Sequence, residues 1–181
     1  MSGERNVVGL DPSLTSSGVA IIGESLEPEL YTVRSTGHRS DSYGMRAARV
    51  DRLANEVVAY IKPDDSLVVI EGPALRSTDP GVWDRAGLWW LLYTRIVALG
   101  VPVGVCPPKT RAKWATGNGN ADKKMVRAGV QELWPDVKIS NSDQADGLCF
   151  ATMAGQLVGM NVPRLERHAL SLPMVALEVA A

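Results

Sequence analysis

Four carboxylates stand where strands end or helices begin: Asp11, Glu71, Asp143 and Asp146. Asp11 closes the apolar run Val7-Val8-Gly9-Leu10, and Glu71 closes Leu67-Val68-Val69-Ile70. Asp143 and Asp146 are three apart at the head of the largely apolar stretch 147–159. Acidic side chains at the ends of buried strands are unfavourable unless something compensates for them. Hard divalent cations are the usual compensation, and oxygen ligands gathered around one or two Mg²⁺ ions make a phosphoryl-transfer site. Each acid also has a plainer reading. Asp11 and Glu71 can simply terminate strands. Asp143 and Asp146 can serve the dipole of a helix whose start, Asn141 with Gln144, resembles a capping box. Spacing of three nevertheless puts both acids on one helix face. Taken together, the four favour a metal site.

Basic residues are clustered although the formal net charge is only -1. Lys109, Arg111, Lys113, Lys123, Lys124 and Arg127 lie within nineteen positions that hold one acid, Asp122. Arg34, Arg39, Arg46, Arg49 and Arg52 form a second basic stretch. Basic surface set against a cluster of acids suits a metal-dependent nuclease. Lys109, Lys113, Lys123 and Lys124, with Arg76 in the loop after Glu71, are the candidate DNA contacts. The turn Thr116-Gly117-Asn118-Gly119-Asn120 precedes a helix and two lysines, as a phosphate-contacting loop would. It lacks the spacing of a Walker loop.

The elements that must position these groups can be read from periodicity. Strands are predicted at 6–10, 18–23, 30–34, 66–70 and 101–106, the first three as an antiparallel meander. Residues 44–61 carry a helical apolar stripe at Val50, Leu53, Ala54, Val57, Val58 and Ile61. A second helix is predicted over 83–100 and a short one from Pro107-Pro108 to Trp114. Another runs from Asn120 or Asp122 to Trp134, and a last one from 141–142 to 160. This order predicts one α/β domain over 1–181 with a mixed five-stranded sheet flanked by helices; the tail 163–181 carries no readable pattern. Adjacent placement of the first and fourth strands would bring Asp11 and Glu71 together, and the last helix would deliver Asp143 and Asp146. Of the five tryptophans, Trp83 is the one beside the polar loop after Glu71 and could stack on a base; the rest are expected to pack internally. His38 and His168 have no metal-ligand spacing. Cys106 and Cys149 lie in apolar runs and are expected to be buried thiols, which with the absence of a signal segment and of any spanning apolar run predicts a cytoplasmic protein without a membrane partner.

Four motifs in order, GLDPSLTSSGVA, VVIEG, PPKTRAKWATGNGNADKKMV and SDQADGLCFA, resemble those of the RuvC-like Holliday-junction resolvases, the crossover-junction endodeoxyribonucleases of bacteria and phages, here of phage type. The resemblance covers residues 6–160. It implies a ribonuclease-H-like fold, a homodimer, and Mg²⁺- or Mn²⁺-dependent cutting of branched DNA with two metal ions per active site. By match, Asp11, Glu71, Asp143 and Asp146 are the metal ligands and catalytic acids, and Asp11 bridges the ions. Lys123 matches a catalytic basic residue near the scissile strand, with Lys113 a weaker match. The chain departs from the family where aromatic residues commonly follow the catalytic Glu, for here Gly72-Pro73-Ala74-Leu75 follow. Flaps and forks are therefore expected substrates beside four-way junctions. Other readings are a ribonuclease-H-like enzyme for RNA–DNA hybrids and a non-catalytic DNA-binding scaffold, which would not need all four acids. The first turn also resembles the phosphate loop of actin-like ATPases, which need a second such loop and a far longer chain.

Overall fold

The structure, a computed structural model, describes residues 6–73 and 81–178. Strands β1 (Val7–Asp11), β2 (Ser16–Ile22) and β3 (Pro28–Arg34) form the antiparallel meander. Helix α1 (Tyr43–Val58) leads to β4 (Leu67–Glu71), which lies parallel to β1, and α2 (Val82–Ala98) leads to β5 (Val103–Cys106), parallel to β4. Helices α3 (Pro108–Thr116), α4 (Lys123–Leu133) and α5 (Ser142–Leu157) follow. The sheet has six strands rather than the expected five. A three-residue β6 (Ala176–Glu178) from the tail pairs antiparallel with β5, giving the order β3-β2-β1-β4-β5-β6. Three exposed residues carry no alternating pattern, so β6 has no signal in the sequence.

The sheet separates two apolar layers. On one side Val8, Leu10, Val68 and Ile70 meet α1 and α2 through Leu53, Val57, Leu88, Leu92 and Ile96. On the other, Val7, Leu67 and Val69 meet α3, α4 and α5. Side chains alternate along a strand, so Asp11 shares its face with Val7, and Glu71 shares its face with Leu67 and Val69. Both acids therefore point to the α5 layer. Parallel pairing of Leu10 with Ile70 sets the two strand ends side by side.

Helix α5 reaches those ends because glycines let it. A Cβ at Gly9 would lie 2.1 Å from the Gly147 carbonyl oxygen and 2.2 Å from the Ala151 nitrogen; one at Gly18 would lie 1.9 Å from the Asp143 carbonyl oxygen. Helix backbone rests directly on strand backbone at these points, a distance that only Gly allows.

The tail closes the α3 side. Arg167 donates to the carbonyls of Trp114 (3.2 Å) and Ala115 (2.8 Å). His168 is fully buried, stacks on Trp114 at 4.0 Å and faces Gln156 through Nδ1 at 2.9 Å. Burial pushes its pKa down to about 4, so it is a neutral packing residue. Both cysteines are free and buried, as expected. Among the described residues no helix is long and apolar enough to cross a membrane.

Candidate active site

The acids meet at the carboxyl ends of β1 and β4, the edge at which open α/β sheets usually carry their sites. Asp11 is 5% exposed and Asp146 1%. The Asp11 and Glu71 carboxyls lie against each other, and each perturbs the other's ionisation. The Glu71 backbone is held from the other layer, where Trp89 Nε1 donates to its carbonyl at 2.8 Å. Asp146 is delivered by the second turn of α5. Asp143, one turn earlier and more exposed, accepts from the Ser16 hydroxyl at 2.6 Å and lies 3.9 Å from Lys123 Nζ. The plainer helix-start reading also holds in part: Asn141 caps the Gln144 nitrogen, while the Gln144 side chain accepts from the Ser140 nitrogen. Capping is carried by Asn141, which leaves both aspartates to the cluster.

Arg111 lies inside this cluster. One guanidinium nitrogen, Nη1, approaches Asp146 Oδ2 at 2.6 Å and Glu71 Oε1 at 3.3 Å. Distance and alignment disagree here: these are ion-pair distances, yet Glu71 Oε1, Asp146 Oδ2 and Arg111 Nε are buried without a hydrogen bond. The contact is therefore electrostatic, with no hydrogen aimed along it. Arg111, with Lys123 farther out, does not offset the burial of Asp11, Glu71 and Asp146. Burial, then repulsion from Glu71, raises Asp11 to about 8. Burial, opposed by Arg111 and reinforced by Asp11, raises Asp146 to about 7. Glu71 is raised too, chiefly by burial.

These observations bear on metal binding in two ways. Among the described residues no three His, Cys, Asp or Glu side chains already form a compact metal cage. A cage needs oxygens gathered around one point, whereas Arg111 lies between Glu71 and Asp146. The chemistry of the donors nevertheless fits a hard divalent cation: all are carboxylate oxygens, two lack a hydrogen bond, and their ionised forms are under-compensated. The four acids expected to be ligands are therefore those brought together.

A pH dependence follows. A carboxyl whose folded pKa is raised stabilises the fold below its ordinary pKa, and that contribution is lost as pH rises through the folded value. For Asp11 and Asp146 the window runs from 3.8 to about 8 and about 7. In EDTA the melting temperature should fall between pH 5 and pH 8, and Asp11→Asn should flatten the fall. A melting temperature that rose over this range in calorimetry would contradict the placement of these acids.

The basic residues divide differently from the sequence expectation. Lys123 begins α4, whose cap is Asp122, and it is the lysine that reaches the acids. Lys109, Lys113 and Lys124 are exposed on α3 and α4. The glycine turn folds back on α3, for a Cβ at Gly119 would lie 3.3 Å from the Lys109 carbonyl oxygen. Arg76 lies outside the described residues. Two arginines of the second basic stretch are structural instead, while Arg34, Arg39 and Arg52 stay exposed. Arg46 grips Asp84 of α2 with two bonds of 2.9 and 2.7 Å, and Arg49 holds the Leu14 carbonyl and Ser35. Sequence reasoning counted Arg111 among the basic surface and missed its role, along with those of Ser16 and Trp89. A signal for Arg111 existed: it shares the buried stripe of α3 with Trp114 and Ala115.

Known proteins bear on this cluster. No family model matches the chain. It is 30% identical over 155 residues to the crossover junction endodeoxyribonuclease RuvC of Salinispora arenicola, covering 80% of this chain and 84% of that one. The chain belongs to the RuvC family. The RuvC of Zymomonas mobilis is 27% identical over 146 residues, covering 80% of this chain and 86% of the relative. In fold, RuvC of Thermus thermophilus matches with a TM-score of 0.64 at 19% identity, over 88% of this chain and 99% of that chain. The same protein in complex with Holliday junction substrate matches with a TM-score of 0.63. The ribonuclease-H-like α/β class expected from the motifs is thus the RuvC fold.

Proposed function

We propose that this chain is a structure-specific endodeoxyribonuclease that cuts branched DNA, Holliday junctions foremost, with Asp11, Glu71, Asp143 and Asp146 as metal ligands and Lys123 beside them. The observation that carries this reading is the convergence of four acids, two with buried oxygens lacking hydrogen bonds, in a RuvC-family chain. The RuvC family is metal-dependent; Mg²⁺ or Mn²⁺, two ions per site, suits the all-oxygen donor set. When bound, such ions supply positive charge that polarises the scissile phosphate and acidifies an attacking water. The protein supplies the rest. Asp11 must give up its proton before all four acids can act as ligands. Ser16 fixes the Asp143 carboxylate, and Trp89 fixes the strand end that carries Glu71. Lys123, exposed at its tip, offers a hydrogen bond and charge to the phosphate oxygens as charge builds on them.

The DNA reaches this edge past Lys109, Lys113 and Lys124, with Arg76 a further DNA contact by sequence, in a cytoplasmic protein of one domain spanning 1–181. Changing Lys113 and Lys123 together to Ala should weaken binding to every DNA structure and flatten its salt dependence, since phosphate contacts are blind to sequence. Fluorescence anisotropy across a salt series measures this; an unchanged slope would place the phosphate track elsewhere.

Paired incision calls for a C₂ homodimer. Helix α2, with its excess of large apolar residues, is the candidate interface. Its Leu88, Leu92 and Ile96 are committed to the monomer core, so the available face of α2 is the one carrying Trp90, 59% exposed.

The deciding experiment is cleavage of four-way junction, flap, fork, duplex and RNA–DNA hybrid with Mg²⁺ or Mn²⁺. Junctions should be cut best, with flaps and forks within about tenfold, ~1.4 kcal/mol of barrier, because the aromatic wedges that unstack a junction centre are missing after Glu71. Trp83→Ala should narrow that margin further. Preference for the hybrid would overturn the reading.

A further inference from the structure

The roles assigned above leave the most deeply placed cation of the cluster unused. Arg111 is only 9% exposed, and its Nη1 approaches two of the acids at 2.6 and 3.3 Å. The contact does not resemble a structural clamp. Arg46 shows what a clamp looks like here, with two aligned bonds to the two oxygens of Asp84. Arg111 instead brings one nitrogen close to two oxygens that remain without hydrogen bonds, and its own Nε is unpartnered and buried. It neutralises charge without locking geometry. It is also unable to withdraw into water as Lys123 can, whose side chain is 65% exposed. The C-terminal end of its helix is held by Arg167 through the Trp114 and Ala115 carbonyls.

A divalent cation on Glu71 and Asp146 would meet this guanidinium at close range. Like charges a few ångströms apart in a poorly solvated pocket repel strongly, and both cations draw on the same oxygens. We propose that Arg111 is a resident counter-ion of the acid cluster that competes with divalent metal for Glu71 and Asp146, and so sets the metal concentration at which the site loads. This rests on the reading of the acids as metal ligands. The residue then has two opposed effects. It supports the fold when metal is scarce, and it weakens metal binding.

Mn²⁺ titration by calorimetry, without DNA, tests this for the unaltered chain, Arg111→Gln, Arg111→Lys and Asp11→Asn. Melting temperatures in EDTA and in saturating Mn²⁺ accompany it. Arg111→Gln should reach half-saturation at about tenfold lower Mn²⁺, equivalent to ~1.4 kcal/mol. Its melting temperature should be below that of the unaltered chain in EDTA, and the gap should shrink with Mn²⁺. Arg111→Lys keeps the charge without the fork and should bind Mn²⁺ between the two; it carries the comparison if Arg111→Gln does not fold in EDTA. Mn²⁺ binding by the Arg111 variants that was equal to or weaker than in the unaltered chain would overturn the counter-ion and leave the metal site standing. Loss of both would show differently: the unaltered chain and Asp11→Asn would bind Mn²⁺ alike.

Discussion

Asp11→Asn should lower the rate of branched-DNA cleavage by at least about a thousandfold, ~4 kcal/mol of barrier, while binding to the same DNA persists. The amide has the shape of the carboxyl and loses the charge. Asp11 stands at the centre of the proposed site: its carboxyl feels the charges of Glu71, Asp146, Arg111 and Lys123. The same substitution removes a buried group whose ionisation is opposed by burial and by Glu71. The variant should therefore be as stable as the unaltered chain at neutral pH in EDTA, or more so. That combination separates a chemical role from a structural one, because a residue needed for folding would lose stability together with activity. Rates from single-turnover cleavage, melting curves and electrophoretic binding of a four-way junction measure the three quantities. Near-normal cleavage by Asp11→Asn with Mg²⁺ would remove the proposed ligand set.

Gly18→Ala should have the second large effect, through position instead of charge. The added methyl would sit 1.9 Å from the Asp143 carbonyl oxygen and 2.5 Å from its carbonyl carbon. Both are backbone atoms at the start of α5, so no side chain can rotate away. Overpacking of this kind usually costs about 1–3 kcal/mol, and relief here requires the helix start to lift off the strand. Lifting it carries Asp143 and Asp146 away from Asp11, and a displacement near 1 Å can cost about a hundredfold in rate. Stability should fall by a few kcal/mol and the folded fraction should cleave at least about a hundredfold more slowly. Gly9→Ala meets Gly147 and Ala151 backbone in the middle of the same seam and should be destabilised at least as much. Denaturant melts and cleavage rates corrected for folded protein test both. Gly18→Ala with full activity would mean that α5 does not position the acids as described.

Much of this site was legible in the chain. Strand periodicity and a terminal acid suffice for Asp11 and Glu71, because alternation assigns each to a face without knowledge of the partner strand. Asp143 and Asp146 share a helix face by spacing alone. The order of the four motifs brought the family within reach, and the start of α4 was narrowed to Asn120 or Asp122, of which Asp122 is the cap. All of these are short-range properties, set by backbone repeat and local hydrogen bonding. The tertiary structure decided what depends on distant segments meeting. Arg111 bridges Glu71 and Asp146, Ser16 holds Asp143 across 127 positions, and Trp89 reaches through the sheet edge to the Glu71 carbonyl. Arg46 and Arg49 of the second basic stretch were drawn into α1–α2 and turn contacts by Asp84 and Leu14, and β6 exists because β5 offered it an edge. An ion pair between residues far apart in sequence has no local period. Whether an arginine faces water or an acid cluster is fixed by which elements pack together, and that depends on the burial of the whole chain.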